Sequence, residues 1–140
     1  MIPSTTLARY EQHALGVLRI VTAVLFIGHA VVKLFGFPPG AAPGPQALTS
    51  LFGIAGLIEL VVGVLILVGF QTRIAAFLAA GEMAIGYWTV HAPASIYPVA
   101  NHGEGAILFC FIFLYLVFAG PGVWSVDASG GRSPVAGGGG

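Results

Sequence analysis

The chain has 140 residues, 57% of them hydrophobic, and its five basic and five acidic side chains cancel to a net charge of zero. Charged residues make up only 7% and mean hydropathy is +0.96, too little polar surface to keep a water-soluble domain in solution, so an integral membrane protein in contact with lipid is expected. The absence of any basic run argues against a nucleic-acid partner, since phosphate binding needs clustered Lys and Arg, and a single cysteine, Cys110, excludes both an internal disulfide and a Cys-x-x-Cys thiol-oxidase mechanism.

Residues 1–14 read as an N-terminal segment on the cytoplasmic side. The apolar stretch 15–35 follows, close to the roughly 20 residues that span a hydrocarbon core. It carries Arg19, His29 and Lys33 and has only Arg9 before it as a basic flank, which suits a retained helix rather than a cleaved signal peptide. The Pro/Gly-rich run 37–45 ends that helix, because proline removes backbone donors. A second helix is predicted over about 48–70, a tight reversal at 69–73 and a third helix over about 74–91. A polar-aromatic loop, 91–101, contains Pro93 and Pro98. The fourth helix is predicted over about 103–119. Short connections imply antiparallel neighbours, so the expected fold is all-α: an integral membrane, antiparallel four-helix bundle over residues 15–127. Residues 128–140 are rich in Gly, lack apolar periodicity and are expected to be disordered.

Orientation follows from Arg9, Arg73 and Arg132, which fall on one side of a four-helix bundle. The positive-inside rule makes that side, and with it both termini, cytoplasmic. Tyr87, Trp88 and Tyr97 at the other level, with Tyr10 and Trp124 at this one, fit interfacial aromatic belts.

Glu59 and Glu82 stand near the middle of predicted spans. An ionised side chain there costs roughly 2.5–3.5 kcal/mol on insertion scales, so such groups are expected to face inward and find partners. Gly56, Glu59 and Gly63 share one face of the second helix, a small-residue seam that permits close approach. Ala75, Ala79, Glu82 and Gly86 repeat the device on the third, and Arg19, Phe26 and Lys33 recur every seven residues on the first. Counting about 1.5 Å per residue from the helix ends puts Glu59 and Glu82 at similar depth, within upward reach of Arg19. The expected core cluster is therefore Arg19, Glu59 and Glu82, with the planar guanidinium engaging two carboxylates. A second cluster gathers at the outer mouth: His29 and Lys33, Glu104 at the start of the fourth helix, and His91, Asn101 and His102 from the outer loop. Lys33 and Glu104 are expected to pair there, and Tyr115, nearly in line with Glu104, is a candidate to extend a polar path inward.

Three roles are open to the core cluster: a salt-bridged network that fixes helix register, a proton relay, and a site for a polar ligand or quinone head group. No His pair occurs at matched depth, so no metal or haem site is expected, and Cys110 reads as a packing residue.

The spaced motifs Arg19…Gly28-His29…Lys33-Leu34-Phe35-Gly36, Gly56-Leu57-Ile58-Glu59 with Gly63, Thr72-Arg73 leading to Glu82-Met83, Asn101-His102-Gly103-Glu104-Gly105-Ala106, and Gly120-Pro121-Gly122 with Ser125-Val126-Asp127 resemble the DoxX family. They cover most of residues 15–127, and their order is more specific than any one of them. Where that family commonly reads Asn-Gly-Gly-Glu, this chain has Asn101-His102-Gly103-Glu104, which adds a titratable group. The resemblance implies a small multi-pass protein of the bacterial inner (plasma) membrane. It also implies a role as an accessory or anchor subunit of a quinone-linked redox complex, with other subunits as partners, no covalently bound cofactor, and quinone as the candidate ligand. A chain without cysteine pairs, haem ligands or a dinucleotide motif is not expected to be an enzyme on its own. The competing expectations are a small proton or metabolite carrier or channel, and a purely structural subunit.

Overall fold

The computed structural model describes residues 4–130. Its elements are seven α-helices, α1 (Ser4–Ala8), α2 (Glu11–Phe35), α3 (Leu51–Val68), α4 (Thr72–Gly86), α5 (Pro98–Asn101), α6 (Glu104–Ala119) and α7 (Val126–Gly130), with a π-helical turn over Tyr87–His91 after α4. The described residues contain no strand, so the all-α class holds.

Local chemistry sets where the helices begin and end. The first long helix starts at Glu11 rather than at 15, with its acidic residue in the first turn where the helix dipole favours it. It stops at Gly36, which takes the left-handed conformation and donates its N–H to the Val32 carbonyl. α3 starts later than predicted, at Leu51, because the Ser50 hydroxyl accepts from Gly53 N and caps it. It ends at Val68, where left-handed Gly69 donates to Ile66 O and Phe70 donates to Leu65 O, so the chain reverses before residue 70. α7 includes residues 128–130 of the stretch expected to be disordered: Ser125 Oγ accepts from Ala128 N, and Asp127 N donates to Gly69 O. The remainder of that stretch, 131–140, and Arg132 with it, lies outside the described residues.

Packing is by close helix pairs. α2 and α3 run antiparallel: Gly69 lies at Arg19, Gly63 against Phe26 and Ile27, and Gly56 against Lys33 and Leu34. A methyl group on Gly63 would come within 2.7 Å of Ile27, so the glycine is what lets these helices touch. α4 packs on α6 through Ala75, Ala76, Ala79 and Ala80, all buried. Phe26, Phe109 and Phe113 join the two pairs, with the Phe26 and Phe113 rings 4.8 Å apart. α3 and α4 meet less extensively.

α2 and α3 are long and apolar enough to cross a membrane, and α6 is a shorter apolar helix. Only 39% and 33% of the two most apolar windows is buried within the chain, so neither is the core helix of a soluble fold. Val24, Leu25, Phe77, Phe111 and Phe118 are among the many large apolar side chains facing outward, as on a surface that lipid covers.

Candidate functional site

At one end of the molecule the backbone is locked. Arg19 is fully buried on α2 and uses all five guanidinium N–H groups on carbonyls. Nε donates to Pro121 O at 2.7 Å. Nη1 donates to Ile66 O at 2.8 Å and to Leu67 O. Nη2 donates to Trp124 O at 2.7 Å and Val123 O at 3.2 Å. Two of these acceptors belong to the last turn of α3, whose carbonyls have no partner within the helix and carry its negative dipole end. Arg73 does the same for α6, donating from Nη1 to Val117 O and Phe118 O. Asp127 works with the opposite sign: its two carboxylate oxygens accept from Gln71 N and Thr72 N, each at 2.9 Å, at the start of α4. Burial alone would push the Asp127 carboxyl up, but those N–H donors and the Arg19 charge outweigh it and hold the group below the usual carboxylate range.

The proposed Arg19–Glu59–Glu82 cluster does not form. Glu59 lies seven residues before Ile66, about 10 Å further along α3, and Arg19 meets its needs on carbonyls at its own level. Glu59 pairs instead with Lys33, Nζ to Oε1 at 2.5 Å, in a site where the carboxylate is 1% exposed and the lysine 13%. The expected Lys33–Glu104 pair is therefore also absent. Glu104 is exposed in the first turn of α6, where the helix dipole suffices to favour it.

Lys33, Glu59 and Glu82 line one cleft of about 1180 Å³, between α3 and α4 and floored by parts of α2 and α6. Its walls are mostly apolar, with Val62, Phe77 and Phe109 among them, and His29, His91 and His102 stand along it. Glu59 Oε2 and both carboxylate oxygens of Glu82 are buried and make no hydrogen bond to any described group. A buried polar atom without a partner costs on the order of 1–3 kcal/mol, more if charged, so three such oxygens in one place are a chemical demand for donors.

The remaining candidates separate. His29 packs edge-on against Phe109, ring centres 5.7 Å apart. His91 bonds the Asn101 carbonyl through Nδ1 at 2.9 Å and stacks on Tyr87. Asn101 is buried and ties the loop together, donating to Ser95 O and accepting from Gly103 N. His102 is exposed and left-handed at the end of α5. Tyr115 is 50% exposed on the outer face of α6 and does not extend a polar path inward. No group of three His, Cys, Asp or Glu side chains able to hold a metal occurs among the described residues.

Sequence reasoning missed the roles of two residues at the locked end. Asp127 and Arg73 bond backbone groups far away in the chain, which have no side-chain signature. The signal that was available for Asp127 is its place after Ser125, a residue type that caps helices.

A family model described as DoxX matches residues 14–92. An uncharacterized protein of Haemophilus influenzae is 38% identical over 125 residues, a match that covers 86% of this chain and 93% of that protein. No solved structure matches the chain.

Proposed function

The chain belongs to the DoxX family, and from that membership and the cleft we propose that it is an accessory or anchor subunit of a quinone-linked redox complex in the bacterial inner membrane. In this reading α2, α3, α4 and α6 cross the bilayer as an antiparallel four-helix bundle. The end bearing Arg9 and Arg73 is cytoplasmic, as the positive-inside rule favours.

The observation that carries the reading is the set of three unpartnered carboxylate oxygens beside a buried ion pair, on residues that line an apolar cleft. A lipophilic ligand with a polar ring matches both halves of that description. Its apolar body would lie against Phe77, Val62 and Phe109, and its head would reach the Lys33 ammonium. A bound quinone supplies two-electron, two-proton chemistry. The chain's own part is to exclude water, orient the head on the Lys33 ammonium, and hold that ammonium against Glu59. The carrier reading is weaker, because a path across the membrane would have to pass the end that Arg19, Gly16 and Gly122 close.

Titration of the purified protein with a short-chain quinone, followed through Trp88 and Trp124 fluorescence, is expected to give saturable binding. Gly86 lines the cleft and has open space at its Cβ position, so Gly86→Leu should fill part of the cleft and weaken that binding. No saturable binding, or binding that Gly86→Leu leaves unchanged, would reject the site. For orientation, single cysteines at Ala94 and Ser129 in a Cys110→Ser background should react with an impermeant thiol reagent from outside and inside respectively; the reverse pattern rejects the topology.

A further inference from the structure

We propose that Glu82 is a proton-binding site: its carboxyl holds one proton near neutral pH, which makes the buried group of Lys33, Glu59 and Glu82 electrically neutral. This goes beyond the quinone reading and does not depend on it, because every group involved belongs to the chain.

Charge balance is the first ground. Lys33 is the one Lys or Arg among the residues lining the cleft, against two glutamates. Arg19 spends its donors on carbonyls at the locked end. With both carboxyls ionised, the group would carry a net negative charge that nothing around it answers. A buried carboxylate without a counter-ion costs far more to desolvate than the neutral acid, and such a group takes up a proton instead.

Geometry decides which of the two carries it. Lys33 Nζ bonds Glu59 Oε1 at 2.5 Å, and a bonded ammonium favours the charged form of its partner. Glu82 has no such partner, and both its oxygens are buried. Glu59 is 1% exposed and its Oε2 is also unpartnered, so little water screens its charge. Glu82 lies within electrostatic reach of Glu59 and Lys33. Two carboxyls so placed titrate as a pair, and the proton they share resides on the one without the ammonium.

The other titratable groups on the cleft are His29 on α2, His91 in the π-helical turn and His102 before α6. His29 packs on Phe109 and His91 Nδ1 bonds the Asn101 carbonyl, and no histidine bonds an oxygen of Glu82 or the free oxygen of Glu59. Glu59 is the only titratable residue that α3 brings to the cleft, Glu82 the only one from α4, and α6 lines it with Gly105, Ala106 and Phe109 alone.

Infrared spectroscopy of the purified full chain, in a detergent free of carbonyl groups, tests this at about pH 6.5, roughly two units above the ordinary carboxyl range. A protonated carboxyl shows a carbonyl stretch apart from the carboxylate bands, and it shifts in D2O. Glu11 and Glu104 are exposed, and Asp127 is held ionised by N–H donors, so one such band is expected. Its presence, with its loss in Glu82→Gln, supports the proposal. In Glu59→Gln the ammonium is left to Glu82, so the band should fall by at least about half. No band from the unaltered chain overturns the proposal, and needs no variant to fold. A band that survives Glu82→Gln overturns the assignment to Glu82, and one at full strength in Glu59→Gln overturns charge balance as its cause. No quinone is present, so this outcome and that of the quinone titration are read separately.

Discussion

Replacing Lys33 by Met leaves the Glu59 carboxylate with neither of its oxygens bonded in a site where it is 1% exposed. Breaking one side of a buried pair in this way destabilises by about 3–5 kcal/mol. Glu59→Gln in the same chain removes the stranded charge, so the double variant should recover much of that loss, a coupling of about 2 kcal/mol or more. Arg19→Met is comparably costly for a different reason: the carbonyls of Leu67, Pro121, Val123 and Trp124 lose their Arg19 donor and that of Ile66 keeps only Gly69 N, and at roughly 1 kcal/mol per bond the total is about 3–5 kcal/mol. Arg19 and Glu59 stand about 10 Å apart along the helix and share no partner, so their double-mutant cycle should be additive to within about 0.5 kcal/mol. Reversible denaturation in detergent micelles, followed by circular dichroism and by the fluorescence of Trp124 beside the Arg19 network, measures both cycles. A coupling above about 1 kcal/mol between Arg19 and Glu59, or none between Lys33 and Glu59, refutes the assignment of partners.

Three further outcomes follow from the same geometry. The Asp127 carboxyl is held below the usual range, so its stabilising effect is complete above the unfolded value near pH 4 and is lost as pH falls through the folded value. Asp127→Asn should remove that acid dependence and cost about 0.5–1 kcal/mol at neutral pH, the low end for a cap in a partly exposed position, read from pH-dependent melting; an unchanged acid limb refutes it. Gly122 has φ +69, and a Cβ there would sit 2.6 Å from Gly16 N, so Gly122→Ala should lower stability by about 1–3 kcal/mol in the same melting assay. Glu104→Gln and Tyr115→Phe change exposed groups that bond no side chain among the described residues and should each stay within about 0.5 kcal/mol of the parent chain.

The helical class, the apolar stretches and the inward stripes were legible because all three are periodic patterns. Gly56 and Gly63 do form the α2–α3 seam, and Arg19, Phe26 and Lys33 do share the face that meets it. What misled was pairing charges by depth alone. A guanidinium can be satisfied entirely by main-chain oxygens, and every residue has one of those, so the partners of Arg19 leave no trace in residue identity. Register was the other missing quantity. Once Gly63 faces Phe26 and Gly56 faces Lys33, Glu59 falls about one helical turn from Lys33 and far from Arg19. The long Pro/Gly connection between α2 and α3 allows several registers and gives no way to choose among them. Boundaries moved where a single side chain starts a helix, as Ser50 does, or a left-handed glycine stops one, as Gly69 does.

The locked end also determines how the rest can move. α3 and α4 are pinned together through Gly69, Asp127 and Arg19 and meet less extensively beyond, the geometry of a clothes-peg with its pivot at the carbonyl network. Glu59 sits ten residues, about 15 Å, from that pivot, and Leu51 about 27 Å. A splay of about 4° displaces the carboxylate by about 1 Å and the mouth by about 2 Å. That is the margin between a hydrogen bond and a gap, so a flexing too small to disturb any helix is enough to make or break a contact at Glu59.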